Sequence, residues 1–246
     1  MKKDWIICAI LWVFSSIILE ILAITFLKEL PTSAAEQAKI IDDAFFLLLY
    51  LCIPIFTLVV VFLFYSVLRF RVSGRPVTDG PGLTGNSTLT ITWVLASLIL
   101  TAFVFVHPGV TGLQKLRAAE NELPDMVVYA EAQRFSWKIT YAAEGVFTRK
   151  EIVLPKDKNI KFKIESKDVL HAFWIPAFRV KIDAVPGLIT EVNATPTEFG
   201  SYDNDPNFRL QCAELCGLGH SVMSLPVRVV AEKEYAEWIK NQTPTK

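Results

Sequence analysis

Apolar positions follow two regimes along this chain: long unbroken runs before His107, and short alternating runs after Met126. Ala44 to Leu68 and Leu89 to Val106 contain no charged residue. Each approaches or exceeds the roughly 20 residues a helix needs to cross a bilayer, and neither has the polar face of a helix packed at a protein surface. They predict a transmembrane hairpin. Pro54 is tolerable there, because neighbouring groups in a membrane helix can satisfy the carbonyl it frees. A third run, Trp5 to Leu27, follows Lys2 and Lys3 and contains Glu20. It reads either as a signal peptide cut after Ala35, with Ser33 and Ala35 as the small residues, or as a retained third helix.

Beyond a charged stretch from Thr111 to Pro124, the period drops to about two in runs rich in Val, Ile, Phe and Tyr. Strands are predicted at Met126 to Ala132, Phe135 to Tyr141, Glu151 to Leu154, Ile160 to Glu165, Ile189 to Ala194 and Leu225 to Ala231. Pro155-Lys156-Asp157, Pro186-Gly187, Pro196 and Asn204-Asp205-Pro206 supply turns between them. This spacing predicts an all-β sandwich or barrel, closed by a short helix over Glu232 to Asn241. The domain organisation is therefore 1–35 as leader or extra helix, 36–110 as hairpin, 111–124 as linker and 125–246 as β domain.

Composition sharpens this reading. The 246 residues are 52% hydrophobic and 20% charged, with 25 basic and 25 acidic side chains. Zero net charge argues against a nucleic-acid partner, which needs a basic surplus. The apolar content excludes a disordered chain, and four cysteines are too few for a disulfide scaffold. Arg69, Arg71 and Arg75 against Asp79 make the loop between the apolar runs cytoplasmic, so the β domain faces outward. The membrane lipid itself is then a partner.

Candidate chemistry is concentrated in Cys212-Ala213-Glu214-Leu215-Cys216-Gly217-Leu218-Gly219-His220-Ser221-Val222-Met223. A second histidine, His171, lies in Asp168-Val169-Leu170-His171-Ala172-Phe173-Trp174-Ile175-Pro176, in a chain with only three. Thiolates, imidazoles and a thioether form a soft ligand set that selects copper over hard cations. Several arrangements compete. A Cys212–Cys216 disulfide leaves the histidines and Met223 incidental. A tetrahedral zinc site leaves Met223 without a purpose. A mononuclear blue-copper site needs His171, Cys216, His220 and Met223 but not Cys212. Two coppers bridged by both thiolates would use every donor, each ion taking one histidine and one weak ligand, Met223 or the carbonyl of Glu214.

"DVLHAFWIP", "KIDAVPG" and "CAELCGLGHSVM", behind a membrane hairpin, resemble subunit II of haem–copper cytochrome c oxidase over roughly Asp42 to the C-terminus. The resemblance implies a cupredoxin-like Greek-key sandwich with a binuclear copper centre, CuA. Its implied ligands are His171, Cys212, Cys216, His220, Met223 and the Glu214 carbonyl. The Glu214 side chain matches a glutamate that helps bind magnesium at the junction with subunit I. The implied role is to accept electrons from cytochrome c or another soluble donor and pass them to haem in subunit I, among other oxidase subunits, for reduction of oxygen to water. The implied location is the cell membrane, multi-pass, with the copper domain outside. Quinol-oxidising relatives lack these ligands. A CuA subunit of a nitric oxide reductase, a membrane-tethered copper carrier and a structural zinc domain remain the alternatives.

Three departures stand out. Where the family commonly has Gln-Trp-x-Trp, this chain has Gln133-Arg134-Phe135-Ser136-Trp137, so electrons would enter at Phe135 with Trp137 nearby. The family's proton-channel glutamate falls at Thr90. An apparent insertion, Asp203 to Leu210, is expected near the copper loop, as are Asp168, Asp183, Glu191, Glu198, Asp203 and Asp205, an acidic set that could steer a basic donor.

Overall fold

The computed structural model describes residues 2–26, 31–71 and 85–242. Leu27, Arg75 and Asp79 of the expectations above lie outside the described residues. Two units are distinguished, one formed by residues 1–30 and 44–111 and the other by residues 31–43 and 112–246.

The first unit is helical. α1 spans Lys2–Phe26, α2 spans Glu36–Arg69, of which the part from Ala44 belongs here, and α3 spans Ser87–Val104. Among the described residues these are the three helices long and apolar enough to cross a membrane. Most of their large outward side chains are apolar, including Ile10, Phe14, Val59, Phe64, Leu98 and Ile99, as suits a lipid environment. Pro54 cannot donate a backbone hydrogen bond, and its own carbonyl accepts one from the Trp12 indole at 2.8 Å. Ser16 and Thr57 meet alongside it, 2.6 Å apart. Asn86 caps α3 by accepting the Leu89 N–H, and Thr90 donates its hydroxyl back to the Asn86 carbonyl. α3 ends in a wide helical turn, Phe105–Val110, that departs from helical geometry at His107, just before Pro108.

The second unit is the β domain. α4, Thr111–Asn121, occupies most of the stretch expected as a linker. The strands are β1 Met126–Gln133, β2 Ser136–Tyr141, β3 Val146–Thr148, β4 Ile152–Pro155, β5 Ile160–Ser166, β6 His171–Ile175, β7 Val180–Ala184, β8 Thr190–Ala194, β9 Gly200–Ser201, β10 Arg209–Cys212 and β11 Ser224–Val230. α5, Glu232–Lys240, closes the chain. One sheet runs β3-β2-β1-β5-β8 and the other β4-β11-β10-β6-β7, with β9 on β11. β1 pairs with β5, and β4 with β11, in parallel; the other pairs are antiparallel. Parallel neighbours require long connections, which gives the sandwich its Greek-key, cupredoxin-like character.

The alternation read from sequence is the alternation observed. β5 is buried at every second residue, placing Ile160, Phe162 and Ile164 inside, and β2 buries Trp137, Ile139 and Tyr141. The buried Tyr141 hydroxyl donates to the Val153 carbonyl and accepts from the Val153 N–H. β6 is different: His171, Ala172, Phe173 and Ile175 are all buried, so no period-two signal marks it.

Residues 31–43 are built into this domain. Ala34, Ala35 and Ala38 are fully buried. Ala34 donates its N–H to the Ala177 carbonyl and accepts from Thr197, Glu36 donates to Thr195, and the Gln37 side chain accepts from Thr195. Arg179 secures the strap: its guanidinium reaches both carboxylate oxygens of Asp42, at 2.9 and 3.0 Å, and the carbonyls of Pro31 and Pro176.

Candidate metal centre

The centre is assembled where β6 and β10 pair. Cys212 lies opposite Phe173, two residues along β6 from His171, and Ala213 donates to the Ala172 carbonyl. The loop from Cys212 to Met223 is closed at its base by the Cys212 N–H on the Met223 carbonyl, 3.0 Å. Inside it, successive turns run from His220 to Gly217, Val222 to Gly219 and Met223 to His220. Gly217 adopts φ +131, a conformation closed to ordinary side chains. The loop thereby folds back and turns its donors inward.

The donor atoms pair off in two sets. Cys212 Sγ is 3.7 Å from His171 Nδ1 and 3.2 Å from the Glu214 carbonyl oxygen. Cys216 Sγ is 3.7 Å from His220 Nδ1 and 3.9 Å from Met223 Sδ. The two sulfurs are 3.8 Å apart. Donor atoms of His171, Cys212 and Cys216 all fall within 4.8 Å of one another, a spacing that can hold a metal ion. His171, both cysteines and Met223 are buried, while His220 is half-buried. Each residue that the motif spacing singles out thus contributes to one cluster. The Glu214 residue is exposed, and the atom it brings to Cys212 is its backbone carbonyl oxygen.

Behind the donors lies a carboxylate that sequence reasoning placed only in the acidic set. Asp168 Oδ1 accepts from His171 Nε2 at 2.9 Å, which puts the ring proton on Nε2 and leaves Nδ1 free toward Cys212. Burial opposes the charge on Asp168. The N–H groups of Arg134, His171 and Val169 outweigh it and hold the carboxyl well below the usual carboxylate range. Burial, and after it the Cys212 thiol, push the Cys216 thiol up to about 11. The signal for Asp168 was available: a carboxylate three residues before a candidate ligand histidine.

The two aromatics take different places. Trp137 is fully buried, its ring edge-on to His171 at 6.3 Å and to Phe173 at 6.0 Å. Phe135 is 36% exposed and lies against Gly217 and Gly219 of the loop.

The segment Asp203 to Leu210 does not gather at the loop as expected. Asp205 accepts from the Thr32 hydroxyl and from Asn207, and Asn207 accepts from the Ala177 N–H, all ahead of β10. The length of β10, about 10 Å, separates that turn from Cys212. The acidic set is dispersed as well. Glu191 on β8 is bridged by Lys161 and Lys163, and Arg134 pairs with Asp168 at 3.1 Å.

Residues 127–230 match the family profile described as cytochrome c oxidase subunit II, periplasmic domain. Over 192 residues the chain is 32% identical to the heme-copper oxidase subunit 2 of Aeropyrum pernix, covering 72% of this chain and 79% of that protein. It is 29% identical to the cytochrome c oxidase subunit 2 of Alkalihalophilus pseudofirmus, covering 75% of this chain but 54% of the relative, about half its length. A solved periplasmic domain of cytochrome oxidase subunit II from Bradyrhizobium japonicum is 32% identical, with a TM-score of 0.45, over 48% of this chain and 94% of that one.

Proposed function

This chain belongs to the subunit II family of haem–copper cytochrome c oxidases, and on that premise we propose that its β domain receives electrons from a soluble donor and delivers them to haem in a partner subunit I. It is a membrane protein with apolar helices and an outer-side domain of the family's periplasmic type. Its relatives are subunits of an oxidoreductase complex, and its His/Cys/Cys group is suited to copper.

The observation that carries the proposal is the pairing of donors. Each thiol has its own imidazole Nδ1 and its own weak partner, a carbonyl for Cys212 and a thioether for Cys216. Two soft ions would be held there by Cys212, Cys216, His171, His220, Met223 and the Glu214 carbonyl. A single zinc ion would leave the buried Met223 sulfur unused. When bound, a copper pair would supply one-electron redox chemistry with the charge spread over both ions.

The remaining chemistry belongs to the chain. His171 and Cys212 are held by paired strands, so the cage moves little when charge changes. Asp168 fixes the His171 tautomer. The buried Trp137, Phe173 and Met223 keep water from the inner side. The exposed Glu214 carboxylate is free to help hold magnesium at the junction with subunit I. Thr90 stands where the family's proton-channel glutamate falls, so in this reading α3 contributes no carboxylate to proton uptake. The three apolar helices cross the membrane in this reading. The burial of Ala34 and Ala35 in the β domain supports retention of α1 as a membrane helix.

The test is copper content and electron paramagnetic resonance of the full chain in detergent, loaded with copper. Two coppers per chain with a seven-line hyperfine pattern are expected. One copper with four lines would overturn the paired centre, and a colourless protein would move the site to zinc or a disulfide.

A further inference from the structure

Gly219 stands between the two loop ligands Cys216 and His220, and its backbone gives no reason for a glycine. Its φ is −94, open to any residue, unlike the φ of +131 at Gly217. The reason is space. A Cβ added at Gly219 would fall 2.5 Å from Cγ and Cδ2 of Phe135 and 3.0 Å from its Cβ. One at Gly217 would come within 3.2 Å of the Phe135 Cζ. The ring therefore lies along the loop backbone across both glycines. The clash at Gly219 reaches the Cβ and Cγ of Phe135, so no rotation of the ring about its own axis relieves it.

Phe135 is also tethered from the other side of the centre. The Arg134 N–H and Nε both donate to Asp168 Oδ2, at 2.9 and 3.1 Å, and the other oxygen of Asp168 accepts from His171. One ring thus touches the Cys216–His220 segment and is joined through its neighbour to the His171 side. Phe135 keeps an exposed edge, whereas Trp137 has none.

We propose that Gly219 is a positioning residue for electron transfer from the donor: its missing side chain lets Phe135 seat on the loop backbone as the conjugated bridge from solvent to the centre. This rests on the electron-transfer reading above. A side chain at 219 lifts the ring and slows transfer from a docked protein, leaving the ligand cage intact. Trp137 serves as packing behind His171 and takes no part in receiving the electron.

The experiment uses the full chain in detergent, loaded with copper, as wild type, Gly219→Ala, Phe135→Ala and the double variant. Three quantities are read: the hyperfine pattern, the rate of reduction by reduced cytochrome c, and the rate of reduction by dithionite, which needs no docking. In Gly219→Ala the seven-line pattern and dithionite rate should persist while the cytochrome rate falls about tenfold or more, within the range that an ångström of misplacement costs. Phe135→Ala should lose a similar factor, and adding Gly219→Ala to it should cost nothing further. Independent, multiplying losses would overturn the proposal, as would an unchanged cytochrome rate in Gly219→Ala. A changed hyperfine pattern or an equally slowed dithionite reaction would also overturn it, by showing that Gly219 serves the cage. A wild-type chain lacking the seven-line pattern would overturn the copper-pair reading, and this one with it.

Discussion

Replacing Arg179 by alanine should loosen the strap of residues 31–43 from the β domain. The guanidinium makes two bonds to Asp42 and one each to the carbonyls of Pro31 and Pro176, and both charged side chains are only 15% exposed. Removing one partner of a buried pair costs about 3–5 kcal/mol when solvent is excluded. Some water reaches this pair, and the bonds are not additive, so about 2–4 kcal/mol is the expected loss. For a domain of this size that is a fall of about 5–12 °C in melting temperature. Arg179 sits at φ +57, so Arg179→Gly should lose less, because glycine regains about 1 kcal/mol of backbone strain. Thermal unfolding of the full chain in detergent, followed by near-ultraviolet circular dichroism, reads these differences. A cycle with Asp42→Asn isolates the pair. A loss below about 1 kcal/mol, or two single losses that simply add, would refute the clamp.

Other outcomes follow from the same geometry. Cys212→Ser should abolish the seven-line pattern, whereas Glu214→Gln should keep it because the carbonyl beside Cys212 belongs to the backbone; resonance spectra separate the two. Asp168→Ala, which releases His171 Nε2, should weaken copper binding by about 10–100-fold in a competition titration with a chelator. Burial opposes the charge on Asp205, but hydrogen bonds from Asn207 and Thr32 prevail and lower its pKa. Its stabilising contribution is therefore complete above the unfolded carboxylate value, near about 4, and disappears as pH falls through the lower folded value. Asp205→Asn should flatten the loss of thermal stability on the acid side, as melting curves across pH would show. With Arg134 paired to Asp168 and Glu191 bridged by two lysines, reduction by cytochrome c should depend only weakly on salt in stopped-flow measurements.

The periodicity of the chain located β1, β2, β4, β5, β8, β11 and α5 to within a residue or two, because each of those strands buries one face or runs briefly apolar between turn residues. β6 and β7 escaped it. β6 is buried on both faces and carries a histidine and a tryptophan, while β7 buries only its two ends outright. The start of α2 at Glu36 precedes the apolar run from Ala44, because Glu36, Lys39, Asp42 and Asp43 interrupt the apolar pattern there while the small residues Ala34, Ala35 and Ala38 are buried on the domain. The cluster of donor side chains was legible because soft donors are rare in this chain and closely spaced. The contact of Asp168 with His171, three residues on, was within reach of the sequence; the hold of Arg134 on Asp168 and the seat of Phe135 on Gly219 were not, since both join segments far apart in sequence whose approach depends on strand pairing.

His171 and His220 are chemically alike and mechanically opposite. The first is fully buried at the start of β6, locked between β10 and β7, and cannot leave without parting two strands. The second sits in a three-residue turn, His220–Val222, whose last residue is 73% exposed. A chelator of a metal bound there should therefore meet His220 first, and exchange at that edge should disturb one turn instead of a sheet. Were a metal taken up or lost, the loop side would be the part to move, while the strand side would keep the shape of the site.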